Sequence, residues 1–309
     1  MLSRIAESMF WIGRYVERAE ATSRILDVHY HLVVQDALVD ESAACGALLS
    51  VMGARDAVQG DVTLDAINNV LAYSSDHPSS IAATMFAARE NARGAREAIS
   101  SEMWETLNAT YHALPGRVAT ARSLGPNSFF RYVKERAAVI GGLVDSTLCR
   151  DDGYRFLVLG RALERVDMTA RLLVARATVA DTPGGWVTTL LCCSAHEAYL
   201  RTYRRAVDAS LVAEFLLLDR SFPRSVLFSL SEAEAALADL DRQQVRTSVD
   251  DEARRLLGRS AADLEYRRLD DLLSDLPVYL GELQGAVAHA SSAIADRYFR
   301  QTKPMEWIA

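Results

Sequence analysis

Lysine is nearly missing from this chain of 309 residues. Of its 34 basic residues, all but Lys134 and Lys303 are arginine. A GC-rich coding bias accounts for most of that imbalance, but the consequence for chemistry is real. No GxxxxGK[ST] run is present, so there is no P-loop, and few lysines are available for Schiff-base or nucleophilic roles. Cysteine is also scarce. Cys45, Cys149, Cys192 and Cys193 show no C-x-x-C spacing and read as reduced thiols rather than a disulfide framework. No apolar run approaches the roughly 18–20 residues that span a bilayer. The opening "MLSRIAESMF" places Arg4 and Glu7 where a signal peptide needs an apolar stretch. A cytoplasmic protein without a membrane partner is therefore expected. The formal net charge of −7 argues against a nucleic-acid partner held through phosphates.

What the sequence does have is helical periodicity, almost throughout. Ile5, Met9, Ile12, Val16 and Ala19 recur at spacings of three and four behind Ser3, which can cap the first helix. Asp40 or Ser42 opens a second segment, and Thr63 a short third. "SSDHPSS" at 74–80 is a turn before a strong amphipathic stretch. "ALPG" at 113–116 and "LGPN" at 124–127 punctuate the chain, and a long helix follows over about 128–149. "DTPGG" at 181–185 is the clearest break. Beyond it, helices are predicted near 186–208 and 211–219, then one whose Ser231 and Glu234 form a capping box. Two amphipathic helices split at Pro277 end the chain. Without any convincing run of alternating strand residues, the predicted class is all-α, a multi-helix bundle in a single domain over 1–309.

One polar pattern is written twice. "GRYVERAEAT" at 13–22 and "GRALERVDMT" at 160–169 share the form GRxxERxxxT, and an arginine follows each two residues later. Gly13, Glu17, Glu20 and Arg24 fall within about 60° of one another on a helix of ~100° per residue. Gly160, Glu164, Asp167 and Arg171 take the same places 147 residues later. The chain therefore reads as two pseudo-repeated halves, roughly 1–150 and 151–309. A glycine on such a stripe lets another backbone come close. The acid–acid–arginine order puts three charges along roughly 10 Å of one helix face. Where two such faces meet, four carboxylates and two stripe arginines converge, with Arg14, Arg18, Arg161 and Arg165 folding in from the sides. Such a cluster is costly to bury unless fully paired. It either locks two helices in register or holds a charged ligand.

A di-metal carboxylate bundle would need Glu-x-x-His on two helices. Here Glu-x-x-Glu stands at 17–20 and Glu-x-x-Asp at 164–167 among arginines that repel cations, so no metal is assigned. His196-Glu197 beside Cys193 and Ser194 lacks an evident orienting group and oxyanion hole, which a nucleophilic site needs. Arg224 in "SFPRSV" can either shape a turn or meet an anion at a helix N-terminus. His29, His31, His77, His112 and His289 form no ligand-spaced set and read as core or surface histidines.

These blocks resemble the bacterial alpha-E family, an all-helical domain named for its Glu-Arg motif. The likeness covers almost the whole chain. It rests on "LSRIAESMFWIGRYVERAEATSRILD", "GGLVDSTLCRDDGYRFLVLGRALERVDMTARLL", "SAHEAYLRTYRR", "FLLLDRSFPRSVLFSL" and "IADRYF", in that order. The resemblance implies partners more than mechanism. Such proteins are typically encoded beside, or fused to, a circularly permuted ATP-grasp protein, often with a transglutaminase-like peptidase nearby. ATP and Mg would then belong to the ATP-grasp partner, and this chain would carry no cofactor of its own. The motif carry-over reaches Glu17, Arg18, Glu164 and Arg165 without making any of them catalytic. Two functions follow from the combined reading. One is an accessory or substrate-binding subunit of an amide-forming or peptide-modifying system. Its small amino-acid or peptide substrate would sit among Glu17, Arg18, Glu20, Arg24, Arg14, Glu164, Arg165, Asp167, Arg171 and Arg161. The other is a non-catalytic scaffold whose Glu/Arg stripes are internal ion-pair networks.

Overall fold

The computed structural model describes residues 1–36, 38–178, 184–241 and 251–299. Among these residues there is no strand, and the architecture is an all-α assembly of fourteen helices. The helices are α1 (Ser3–Gln35), α2 (Glu41–Val51), α3 (Leu64–Asn68), α4 (Ile81–Gly94), α5 (Ser101–Leu124), α6 (Asn127–Thr147) and α7 (Asp152–Thr178). They continue as α8 (Gly185–Cys192), α9 (His196–Tyr203), α10 (Ala209–Leu218), α11 (Val226–Leu240), α12 (Glu252–Tyr266), α13 (Leu269–Ser274) and α14 (Leu276–Ile294).

The two longest helices, α1 and α7, carry the two copies of the polar pattern and pack along each other. Helix α1 also lies against α4 and α6, with α4 on α5 and α5 on α6. Helix α7 lies in the same way against α11 and α14, with α11 on α12 and α12 on α14. The turns entering α4 and α11 are built alike. Ser80 accepts from the Ala83 N–H and Ser225 from the Phe228 N–H, closing the first turn of each helix. Each hydroxyl also donates backwards, Ser80 to the Ser74 carbonyl and Ser225 to the Asp219 carbonyl. A buried apolar core runs through both sets, from Phe10, Phe129 and Phe130 to Phe215 and Leu237.

Several local expectations need correction. Ser3 is the first residue of α1 rather than its cap; Leu2 holds the cap position and no side chain closes the turn. Ser231 lies inside α11, donating to the Leu227 carbonyl at 2.8 Å, because Ser225 already caps that helix. Glu234 pairs with Arg254 instead of closing a capping box. Helix α5 passes straight through Pro115. That proline stands on the exposed face, so the carbonyl it leaves without a donor can be hydrated, while Leu114 beside it stays buried. The helix predicted near 186–208 is broken into α8 and α9 at Cys193–Ala195, where Ser194 takes a left-handed φ of 55°. Pro277 starts α14, as proline tolerates the first turn, and the preceding stretch divides further into α12 and α13. Of the break at 181–185, residues 181–183 lie outside the described residues; Gly184 has φ 91° and α8 begins at Gly185.

Candidate functional site

The seam begins with two glycines. A Cβ built on Gly13 would lie 2.1 Å from the Leu157 carbonyl oxygen and 2.9 Å from the Arg161 nitrogen. A Cβ on Gly160 would lie 2.0 Å from the Phe10 carbonyl oxygen, with Arg14 Cγ at 3.3 Å. Each helix thus rests its backbone on the other's glycine, where no side chain fits. Positions rise together along the two helices, so α1 and α7 run parallel.

One turn further on, the charges cross. Glu164, fully buried, accepts from Arg14 Nε at 2.8 Å and from Arg18 Nε and Nη2 at 2.5 and 2.9 Å. Glu17, 4% exposed, pairs in return with Arg165 Nε at 3.0 Å and accepts from Arg224 Nη2 at 3.0 Å. Burial alone would raise the Glu17 pKa, but the guanidinium groups of Arg165, Arg224 and Arg161 outweigh it and hold the carboxyl below its ordinary range. Arg224 is affected in the complementary sense: burial opposes its charge, and Glu17 with Glu20 more than restores it.

The division of labour reverses the sequence expectation. Arg24 and Arg171, on the predicted stripes, pair within their own helices, with Glu20 at 2.7 Å and Asp167 at 2.9 Å. Arg14, Arg18 and Arg165, predicted to flank, are the ones that cross the seam. Parallel helices in backbone contact bring each carboxylate against residues one place round the partner's circumference. Arg224, expected from its sequence context to shape a turn or meet an anion, is a seam residue. It reaches in from the loop before α11 and also meets Glu20 at 2.7 Å.

The two sides of the seam differ. On the Glu164 side α14 closes the gap: Ser291 accepts from Arg14 at 3.3 Å, and Gln284 donates to Asp167 at 3.2 Å. On the Glu17 side a cavity of about 310 Å³ separates α1 and α7 from α6. Its polar wall is Glu17, Glu20, Arg161, Arg165 and Arg224, and its α6 wall includes Gly141 and Gly142. A Cβ on either of these glycines would meet nothing within 4 Å. Arg161 makes no hydrogen bond or ion pair with any described residue, and its buried Nε has no partner.

The Glu-Arg pairs that cross-link α1 and α7 are Glu17-Arg18 and Glu164-Arg165. A family model described as an alpha-helical domain with a conserved ER motif, Alpha-E, matches residues 1–299. The chain belongs to the Alpha-E family. It is 23% identical over 320 aligned residues to an uncharacterized protein of Mycobacterium bovis and, at the same identity, to uncharacterized proteins of two Mycobacterium tuberculosis strains. Those alignments take in 94% of this chain and 36% of each relative, so the chain spans about a third of their length. No solved structure matches it.

Elsewhere in this Alpha-E chain the weighed alternatives find structural explanations. Burial pushes the Cys193 thiol up to about 12, so no thiolate stands near His196. His29 is buried at 3.6 Å from Cys45, and burial lowers it to about 4 while raising Cys45 to about 11, so the two are neutral neighbours rather than an ion pair. His31 lies against Asp27 at 3.6 Å. No helix among the described residues is long and apolar enough to cross a membrane. A larger groove of about 1280 Å³ lies between the C-terminal halves of α1 and α7 and helices α2 and α8. Its walls are mostly apolar, and it does not touch the Glu-Arg pairs.

Proposed function

We propose that this Alpha-E chain is the accessory, substrate-binding subunit of an ATP-grasp-dependent system that forms or modifies a peptide-like amide in the cytoplasm. The observation that carries this reading is the cavity on the Glu17 side of the seam. It is small, mixed apolar and charged, and bordered by groups of both signs, which suits an amino acid or short peptide. The sequence has no GxxxxGK[ST] run, and in this reading ATP and Mg belong to the partner, a circularly permuted ATP-grasp protein, with a transglutaminase-like peptidase as a further associate. That the relatives extend well beyond the matched segment supports a domain that works joined to other parts. The two four-helix sets are read as copies of one unit, with α1 and α7 as corresponding members.

A second reading is favoured by the Glu164 side. There α14 closes over the ion pairs, with Ser291 on Arg14 and Glu164 fully buried, as in a purely structural clamp. In that reading the chain is a scaffold that docks the ATP-grasp partner by an outer face. The deciding experiment is co-purification with the ATP-grasp protein of the same cell, followed by mass spectrometry of what the pair makes from extract. ATP-dependent amide product that is abolished by Glu17→Gln in a folded chain supports the binding role. Product unchanged by Glu17→Gln removes it and leaves the scaffold.

A further inference from the structure

We propose that the cavity beside Gly141 and Gly142 binds the carboxylate of a small amphiphilic acid, the acid end of an amino acid or peptide, on the Arg161 guanidinium. This assignment rests on the seam being a binding site and names what it takes. The charges bordering the cavity identify the open group. Glu17 is engaged by Arg165 and Arg224, and Glu20 by Arg24 and Arg224. Asp145, at the rim, lies 3.8 Å from Arg150. Arg161 alone of the lining charges has neither a hydrogen bond nor an ion pair with a described residue.

The comparison with Arg14 sharpens this. Arg14 stands 147 residues earlier, at the same place in the repeated pattern, and is engaged by Glu164 and Ser291. On the α6 wall Ala137, Ala138, Ile140, Gly141, Gly142 and Val144 carry no side-chain acceptor, and the one acidic side chain, Asp145, is turned to Arg150 at 3.8 Å rather than paired with Arg161. The missing partner and the missing side chains coincide, so the space next to the free cation is the space a ligand can fill.

The same wall decides the ligand class. A guanidinium matches a carboxylate in two parallel hydrogen bonds. A phosphate dianion would bring a second negative charge next to Glu17 and Glu20 with one uncommitted cation to offset it. Ile12, Val16, Met103 and Leu157 give the remaining surface an apolar character, so the acid carries an apolar body.

The test is isothermal titration calorimetry on the full chain with N-acetyl-L-leucine, its uncharged amide and inorganic phosphate. The acid is expected to bind at one site at least tenfold more tightly than the amide, and phosphate more weakly than the acid. Arg161→Met should weaken the acid at least tenfold, and Gly141→Leu, which fills the cavity and leaves every charge in place, should do the same. Should Arg161→Met fail to fold, Gly141→Leu and the acid-against-amide comparison decide. Equal affinity for acid and amide, preference for phosphate, unchanged binding in a folded Arg161→Met chain, or no binding of any probe overturns the proposal. Its failure is separable from that of the functional reading. If the ATP-grasp pair makes no amide while acid binding still depends on Arg161, only the functional reading falls. If amide product forms equally well with folded Arg161→Met, only the carboxylate site falls.

Discussion

Gly160 lies directly over the backbone of Phe10, and a Cβ there would stand 2.0 Å from the Phe10 carbonyl oxygen. Neither partner can yield cheaply, because both belong to the long helices at the centre of the fold. Gly160→Ala, and Gly13→Ala against Leu157, are therefore expected to cost more than about 3 kcal/mol each, at or above the usual range for overpacking. Urea unfolding would measure this. A loss below about 1 kcal/mol would show that α1 and α7 can part without consequence.

The opposite result is expected one helix away. Gly141 sits inside α6 with open space where its Cβ would be. Gly141→Ala should stabilise the chain by roughly 0.5–1 kcal/mol through helix propensity alone. A destabilised Gly141→Ala protein would mean that the cavity wall is tighter than it stands here.

Glu164 is the costliest charge to remove. Glu164→Gln leaves Arg14 and Arg18 facing a neutral amide in a site with no solvent access to the carboxylate position. Loss of one partner from a buried ion cluster costs about 3–5 kcal/mol. Replacing Glu164, Arg14 and Arg18 together by methionine should cost less than Glu164→Gln alone, since no uncompensated charge remains. Denaturant midpoints of the single and triple variants give the comparison, and an additive triple would refute the buried-cluster account.

Much of this seam was legible as pattern before it was visible as geometry. The GRxxERxxxT repetition located both helices, the close-approach glycines and the two buried glutamates, because helical period and residue type suffice for that. Which arginine reaches which glutamate was not legible. It depends on α1 and α7 running parallel in backbone contact, a property of topology that no local spacing encodes. Arg224 was missed as a seam member for the same reason, since it comes from a loop about 200 residues downstream of Glu17. The pass of α5 through Pro115 escaped because tertiary burial of Leu114 outweighs a local breaker on the wet face. The cavity is a product of absent side chains at Gly141 and Gly142, which a sequence shows only as helix-weakening glycines.

Acid sensitivity should begin with His29. Burial lowers its pKa to about 4 in the fold, against about 6.5 for an unfolded histidine. Its neutral form is thus favoured by folding. The associated stability is fully present above pH 6.5, falls as the pH drops toward 4 and then levels off, a total of about 3 kcal/mol. Glu17, depressed by its arginines, adds a second loss only below the ordinary carboxylate range. Denaturation midpoints from pH 7.5 to 4.5 should decline in wild type and flatten in His29→Leu. An unchanged slope in His29→Leu would place the acid sensitivity elsewhere.

Arg161 and Arg165 lie four residues apart on α7 and border the same cavity, yet they should answer differently to the same substitution. Arg165 pairs with Glu17 at 3.0 Å and approaches Glu232 at 3.8 Å, so Arg165→Met takes one of two close cations from a carboxylate that is 4% exposed and leaves it only Arg224. That should cost about 3 kcal/mol or more. Arg161→Met loses only longer-range attraction to Glu17, which keeps both Arg165 and Arg224, and it retires a cation whose Nε is buried without a partner. The methionine keeps the packing of the stem. The ligand-free chain should therefore stay within about 1 kcal/mol of wild type. Guanidinium unfolding of the two variants side by side is the check. If Arg161→Met proves as damaging as Arg165→Met, its guanidinium is a structural member of the seam, and the cavity loses the one charge that gave it a ligand.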